Sequence, residues 1–180
     1  MTAIFVNSFI LFFVTIDTIG NLPFFLSLTE GAKIKKKNQI ALKSVIIAFF
    51  IMITFAYLGR YLLEAIHVSL DSLKIAGGVI LMFLAIDILF EKRKTRREKR
   101  VEEALDEKSF EEIIVFPIAI PFIAGPSALT TIILLIGNYA NLPEFQIPVI
   151  LALVAALVIS LILMIGANFI VKFILSFFMI

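Results

Sequence analysis

Two short motifs carry the residues that could do chemistry in this chain. Residues 17–23 read Asp-Thr-Ile-Gly-Asn-Leu-Pro, and residues 121–128 read Pro-Phe-Ile-Ala-Gly-Pro-Ser-Ala, each inside an apolar stretch. A carboxylate at the centre of a bilayer costs about 2.5–3.5 kcal/mol, so it normally faces a partner, an ion or water. Asp17 is therefore the main candidate for binding a coupling cation or the ammonium group of a substrate. Its alternative role is to cap a broken helix by accepting backbone N–H groups.

Asn21, Ser127, Thr130 and Thr131 offer neutral donors and acceptors beside the two interruptions and could complete a small-molecule site. The amides after Gly125 could donate to a substrate carboxylate without a buried arginine. The alternative role of these four side chains is hydrogen bonding between helices, worth about 1 kcal/mol each. The predicted substrate- or ion-binding set comprises Asp17, Gly20, Asn21, Pro23, Gly125, Pro126, Ser127 and Thr130.

Several other chemistries are not expected from this sequence. It has no cysteine and one histidine, His67, which excludes thiolate metal sites, cysteine nucleophiles and histidine clusters. No catalytic residue, metal site, cofactor or nucleic-acid partner is predicted. No Gly-Lys-Ser/Thr phosphate loop is present, so ATP is not expected to be the direct energy source. Coupling to H⁺ or Na⁺ is expected instead. An aspartyl dyad of Asp17 and Asp87 is disfavoured, because Asp87 lies near the end of its apolar segment.

Long apolar runs must position these motifs. Apolar residues make up 61% of the chain and the mean hydropathy is +1.08, well above soluble domains. A helical span needs about 20 apolar residues, which predicts an all-α polytopic membrane protein. The predicted segments are 2–28, 40–58, 75–90, 113–136 and 147–165, with the start of a sixth at 173–180.

The two motifs interrupt the first and fourth segments in corresponding places. Gly and Pro destabilise a helix interior, and paired interruptions in the two halves of a membrane protein indicate a transporter binding site. The sequence therefore predicts an inverted repeat of two three-helix units, with helices 1 and 4 broken near Gly20-Asn21 and Gly125-Pro126. The two breaks are expected to approach each other near the bilayer midplane, related by a pseudo-two-fold axis in the membrane plane. The units are residues 1–90 and 113–180, joined by a charged loop, 91–112; the second is expected to be incomplete because its sixth helix is truncated.

Basic residues predict the orientation. The connections after the first and third segments, with Lys43, hold thirteen of the sixteen, whereas the connection after the second holds two. The positive-inside rule then places the N-terminus outside and both basic loops in the cytoplasm. The loop 91–112 also carries many acids, so a solvated helical linker is favoured over a lipid-headgroup site.

With these motifs in this order, the chain resembles the MarC family of integral membrane proteins. The resemblance rests on residues 17–23, on Gly77-Gly78 followed by Asp87, and on residues 120–131. It differs at Thr18, where the family usually has proline. The resemblance implies six spans and, for some members, transport of small neutral amino acids such as glycine and alanine.

The leading hypothesis is an ion-coupled secondary transporter of small neutral amino acids, or similar polar solutes, that works by alternating access. It would be a multi-pass protein of the cytoplasmic (inner) membrane whose partners are the lipid bilayer and the solute; the sequence leaves the oligomeric state undetermined. The alternatives are a non-transporting membrane scaffold and, behind it, an intramembrane enzyme.

Overall fold

A computed structural model describes residues 1–65 and 112–178, with isolated positions at 67, 69, 72, 75, 76, 79 and 82. The predicted third segment is therefore described only in part. The Gly77-Gly78 pair, Asp87 and loop residues 91–111 lie outside the described residues, so the three-plus-three repeat and its boundaries stay predictions.

The described part of the chain is helical and contains no strand. Its elements are α1 (Thr2–Ile16), α2 (Thr18–Leu28), α3 (Ile34–Ala65), a wide, irregular proline segment (Ile114–Ile123), α4 (Pro126–Asn138) and α5 (Pro143–Phe178). Within the described residues, three stretches are long and apolar enough to cross a membrane: Thr2–Leu28, Ile34–Gly59 and Pro143–Ala167. The proline segment and α4 form a fourth candidate, bent by 59° at its break. The predicted all-α polytopic membrane architecture is confirmed.

Each long helix has one face inside the bundle and one face outside it. In α3 the buried positions recur every three to four residues, as Ala41, Ser44, Ala48, Met52 and Ala56. The exposed positions between them are apolar as well, among them Leu42, Ile46 and Phe50. A helix that is apolar all round suits a lipid surface, and its mostly small buried residues let neighbouring helices approach closely.

Two contacts show how α3 runs alongside the fourth candidate span. Near the start of α3, the Ser44 hydroxyl donates to the Ile114 carbonyl at 2.9 Å. Near its other end, Gly59 is so close to Ile133 that an added Cβ would lie 2.6 Å from that side chain. Helix α3 and the fourth candidate span thus run in the same direction. The lysines at the start of α3 therefore lie at the same end of the bundle as Glu112.

The last helix differs from the sequence-based prediction. The sequence predicts that the fifth segment ends near residue 165 and a sixth begins at Phe173, whereas α5 continues without a break from Pro143 to Phe178. One glycine, Gly166, and one lysine, Lys172, do not stop it. A glycine costs only about 1 kcal/mol in a helix, whereas unpaired backbone groups in lipid cost several.

Candidate functional site

The first break in the chain is a single residue. Asp17 adopts a left-handed conformation with φ 49° and ψ 54°, and it separates α1 from α2. The helix resumes at once, since the Asn21 amide donates to the Asp17 carbonyl at 3.1 Å. The break therefore lies at Asp17, three residues before the predicted Gly20-Asn21, and the Asn21 amide is already bonded within α2. The physical reason is that a left-handed residue reorients the chain within one position, so the next turn can close normally.

The second break extends over a longer stretch that ends at the predicted Gly125-Pro126. Phe116 and Ile120 have extended backbone angles within the proline segment, and Ala124 bonds back to the Ala119 carbonyl, five residues earlier, at 2.9 Å. Gly125 is extended and Pro126 occupies the first turn of α4. Loss of regular helical bonding at this place is confirmed.

Hydrogen bonds join the two breaks in both directions. From the first break, the side-chain amide of Asn21 donates to the Phe122 carbonyl at 2.8 Å and to the Ile16 carbonyl at 2.7 Å. From the second, the Ser127 hydroxyl donates to the Thr15 carbonyl at 3.1 Å. The prediction that the breaks approach each other is confirmed, whereas their depth in a bilayer and a two-fold relation between them stay predictions. We call these three bonds the clasp.

The clasp uses carbonyl groups that the breaks expose. A helix that ends leaves its last carbonyls without partners in the helix, and lipid offers none. Thr15 and Ile16 are the last residues of α1, and Phe122 is near the end of the proline segment. Each break is thus stabilised by donors from within the pair, which keeps both breaks inside the protein.

Close packing explains both glycines of the predicted set. A Cβ on Gly125 would lie 2.6 Å from the backbone oxygen of Pro121, so no side chain fits there. A Cβ on Gly20 would overlap the carboxylate of Asp17, with 2.8 Å to its carboxyl carbon. The Asp17 carboxylate therefore lies over the first turn of its own helix α2, where the helix dipole favours a negative charge.

The predicted residues do not all take part in this contact. Asp17, Gly20, Asn21, Gly125 and Ser127 lie at the junction, and Pro126 begins α4. Pro23 is exposed on α2 and Thr130 is half-buried on α4, and neither belongs to the clasp. Thr131, considered with them, bonds back to the Ser127 carbonyl at 2.8 Å, within its own helix.

Sequence reasoning missed one buried polar pair next to the first break. The hydroxyl groups of Thr18 and Ser160 are 2.6 Å apart, and Ser160 also donates to the Ala156 carbonyl at 3.0 Å. Ser160 is the only polar residue between positions 147 and 165. That isolation is a usable signal, because a lone hydroxyl in an apolar span usually bonds to another helix. The pair fixes the start of α2 against α5.

Comparison with known proteins places this chain among membrane proteins. The model of the family described as MarC family integral membrane protein matches residues 2–176. The chain is 39% identical over 161 residues to a UPF0056 membrane protein of Archaeoglobus fulgidus, covering 88% of this chain and 72% of that one. It is 30% identical to the UPF0056 membrane protein YvbG of Bacillus subtilis, over 81% of this chain and 69% of the relative.

A relative from Escherichia coli, the UPF0056 inner membrane protein YhgN, is 29% identical over 76% of this chain and 66% of its own length. No solved structure matches the chain. The similarity therefore concerns a family of membrane proteins and carries no activity with it.

Proposed function

Because the chain belongs to the MarC family of integral membrane proteins, we propose that it is an ion-coupled secondary transporter of small neutral amino acids. Similar small polar solutes are the wider class. The observation that carries the proposal is the clasp, since Asn21 and Ser127 hold two broken helices together within the bundle. Discontinuous helices that meet in this way are the usual basis of a transporter site.

The helix ends at the junction suit a zwitterion. The first turn of α4, at Ser127 and Ala128, has amides without acceptors in the helix, and such a turn favours a carboxylate. Ala128 is buried and Ser127 half-buried. Asp17 and the carbonyls at the end of α1 favour an ammonium group or a coupling ion such as H⁺ or Na⁺. A neutral amino acid presents both charges within a few ångströms.

The alternatives need less of this arrangement. A membrane scaffold has no use for two broken spans whose polar groups meet, because continuous helices pack at lower cost. We therefore propose transport ahead of both alternatives, a membrane scaffold and an intramembrane enzyme.

Transport is tested with the full-length protein in proteoliposomes, by uptake of labelled glycine and alanine under H⁺ and Na⁺ gradients. Asp17→Asn keeps the shape but removes the charge, and we expect it to abolish gradient-driven accumulation. Glu30→Gln is the matched control, since Glu30 is exposed in the turn after α2, and it should leave uptake unchanged.

Two results would contradict these expectations separately. If the native protein accumulates no amino acid under either gradient, the transport proposal is wrong. If Asp17→Asn accumulates substrate with normal ion dependence, transport stands and Asp17 is only a helix cap.

We further propose that the protein lies in the cytoplasmic membrane with its N-terminus outside and the lysines of residues 33–37 in the cytoplasm. The positive-inside rule supports this orientation. The chain lacks cysteine, so single cysteines at Lys36 and Asn141 can be labelled with a membrane-impermeant maleimide in intact cells. We expect Asn141→Cys to label and Lys36→Cys to label only after lysis; the reverse pattern would invert the topology.

A further inference from the structure

Asn21 is the most constrained polar side chain at the junction. It is only 1% exposed, and its amide nitrogen donates both of its protons, to Ile16 and to Phe122. These bonds fix the orientation of the side chain, because a flipped amide would turn its oxygen toward two carbonyl oxygens. The oxygen Oδ1 must therefore face away from both carbonyls.

The Oδ1 atom of Asn21 is buried and accepts no hydrogen bond from the described residues. A buried acceptor without a donor is unfavourable, and most buried polar groups in proteins do have partners. The clasp does not require Oδ1 to lack a donor, because the clasp uses only the amide nitrogen of Asn21. An acceptor held in a fixed direction but without a donor is what a ligand site for a donor group needs.

The surroundings of this oxygen suit a positive charge. Asp17 lies one helical turn away, and its carboxylate lies over the neighbouring Gly20. This charge offsets the positive end of α2, which would otherwise disfavour a cation.

We propose that Asn21 Oδ1 accepts the cationic end of the transported solute, a protonated amine. This inference rests on the proposed function and makes it more specific. The coupling ion Na⁺ offers the same chemistry, because it too is bound by amide and carbonyl oxygens. Oδ1 is enclosed in this structure, so the amine must reach it in a conformation that opens the packing around Oδ1 while the amide nitrogen keeps its bonds to Ile16 and Phe122.

The test compares glycine with propionate, which has nearly the same shape but a methyl group in place of the ammonium group. Affinities are measured by calorimetry on the purified full-length protein, and the effect of NaCl against KCl on thermal unfolding is measured without amino acid. We expect the native protein to prefer glycine. Asn21→Ala should weaken glycine binding about tenfold and propionate binding far less, since a hydrogen bond to a charged group is lost.

A matched control comes from another buried oxygen. Asn38 Oδ1 is also buried without a hydrogen bond from the described residues, but it lies on α3, before the contact between Ser44 and Ile114. Asn38→Ala should leave the glycine-to-propionate ratio unchanged. If Asn21→Ala does not fold, the ratio of glycine to propionate binding is measured for Asn21→Ser and compared with that of the native protein.

Each result has a definite meaning. A selective loss of glycine binding supports the amine as the ligand, and a loss of the Na⁺ preference instead supports the coupling ion. Equal weakening of glycine and propionate would show a purely structural role and overturn the inference. So would a native protein that binds both equally and shows no Na⁺ preference. Normal uptake and binding by Asn21→Ala would overturn only this inference, whereas a native protein without uptake or binding would also end the transport proposal.

Discussion

The two broken spans expose carbonyl groups at the same junction, but their backbones break in different ways. The first changes direction at one left-handed residue, Asp17, between two regular helices. The second loses regularity over the whole stretch from Phe116 to Gly125 before α4 begins. Both nevertheless expose carbonyl groups at a shared junction. Breaks of different length can therefore serve one site, provided that each offers helix ends to the other.

Proline density explains the difference in length. Each of the residues before Pro117, Pro121 and Pro126 has an extended backbone, as expected when the proline ring disfavours a helical conformation at the preceding position. A single proline has no such effect here, because Pro23 and Pro148 lie inside continuous helices. Three prolines within ten residues remove donors faster than a helix can bridge them.

The largest effect is expected from crowding the second break. Gly125→Ala places its Cβ against the backbone oxygen of Pro121, which cannot rotate away. We expect a loss of about 3 kcal/mol in unfolding free energy, at the upper end of overpacking costs, measured by denaturation from mixed detergent micelles.

Two further glycines make this comparison sharper. The atoms nearest to the Cβ of Gly20→Ala all belong to the side chain of Asp17, which can move, so a smaller loss is expected. Gly166 in α5 has nothing within 4 Å of an added Cβ, and Gly166→Ala should be neutral or stabilising. A Gly125→Ala protein as stable as Gly166→Ala would mean that the second break tolerates a different backbone path.

An intermediate effect is expected from opening the clasp on either side. Asn21→Ala removes two hydrogen bonds and leaves two buried carbonyls without their donor, for which we expect a loss of about 2 kcal/mol. Ser127→Ala removes one bond and should cost about 1 kcal/mol. In the double variant, a cost well below the sum would show that the two sides of the clasp form one cooperative unit.

The smallest effect is expected where α2 begins. Thr18→Val keeps the shape but removes the hydrogen bond to Ser160, which should lower the unfolding free energy by about 1 kcal/mol or less. Thr54→Val is the control, since Thr54 is exposed and bonds to the Phe50 carbonyl of its own helix. If both variants behave alike, the buried pair does not hold the first break in place.

Much of the architecture was predictable from local sequence. Apolar length identified the membrane helices, and the motif 121–128 located the second break at Gly125-Pro126, because proline acts on its own backbone and on the residue before it. The turn between Asn138 and Pro143 also follows from local sequence, since proline fits the first turn of α5. The same local reasoning placed the first break too late, at Gly20, because that glycine serves a close approach of Asp17 rather than a loss of helical bonding.

Sequence by itself determined that this protein is a bundle of apolar helices with two interruptions, because apolar length and proline content act along the chain. Only the tertiary structure decided which carbonyls each interruption leaves to the other, that Asn21 spends both of its donors on them, and that Thr18 finds Ser160, 142 residues away. Such pairings depend on how helices distant in sequence are placed side by side. In a membrane that placement is set by the need to satisfy every exposed backbone group, a condition that no single segment can meet alone.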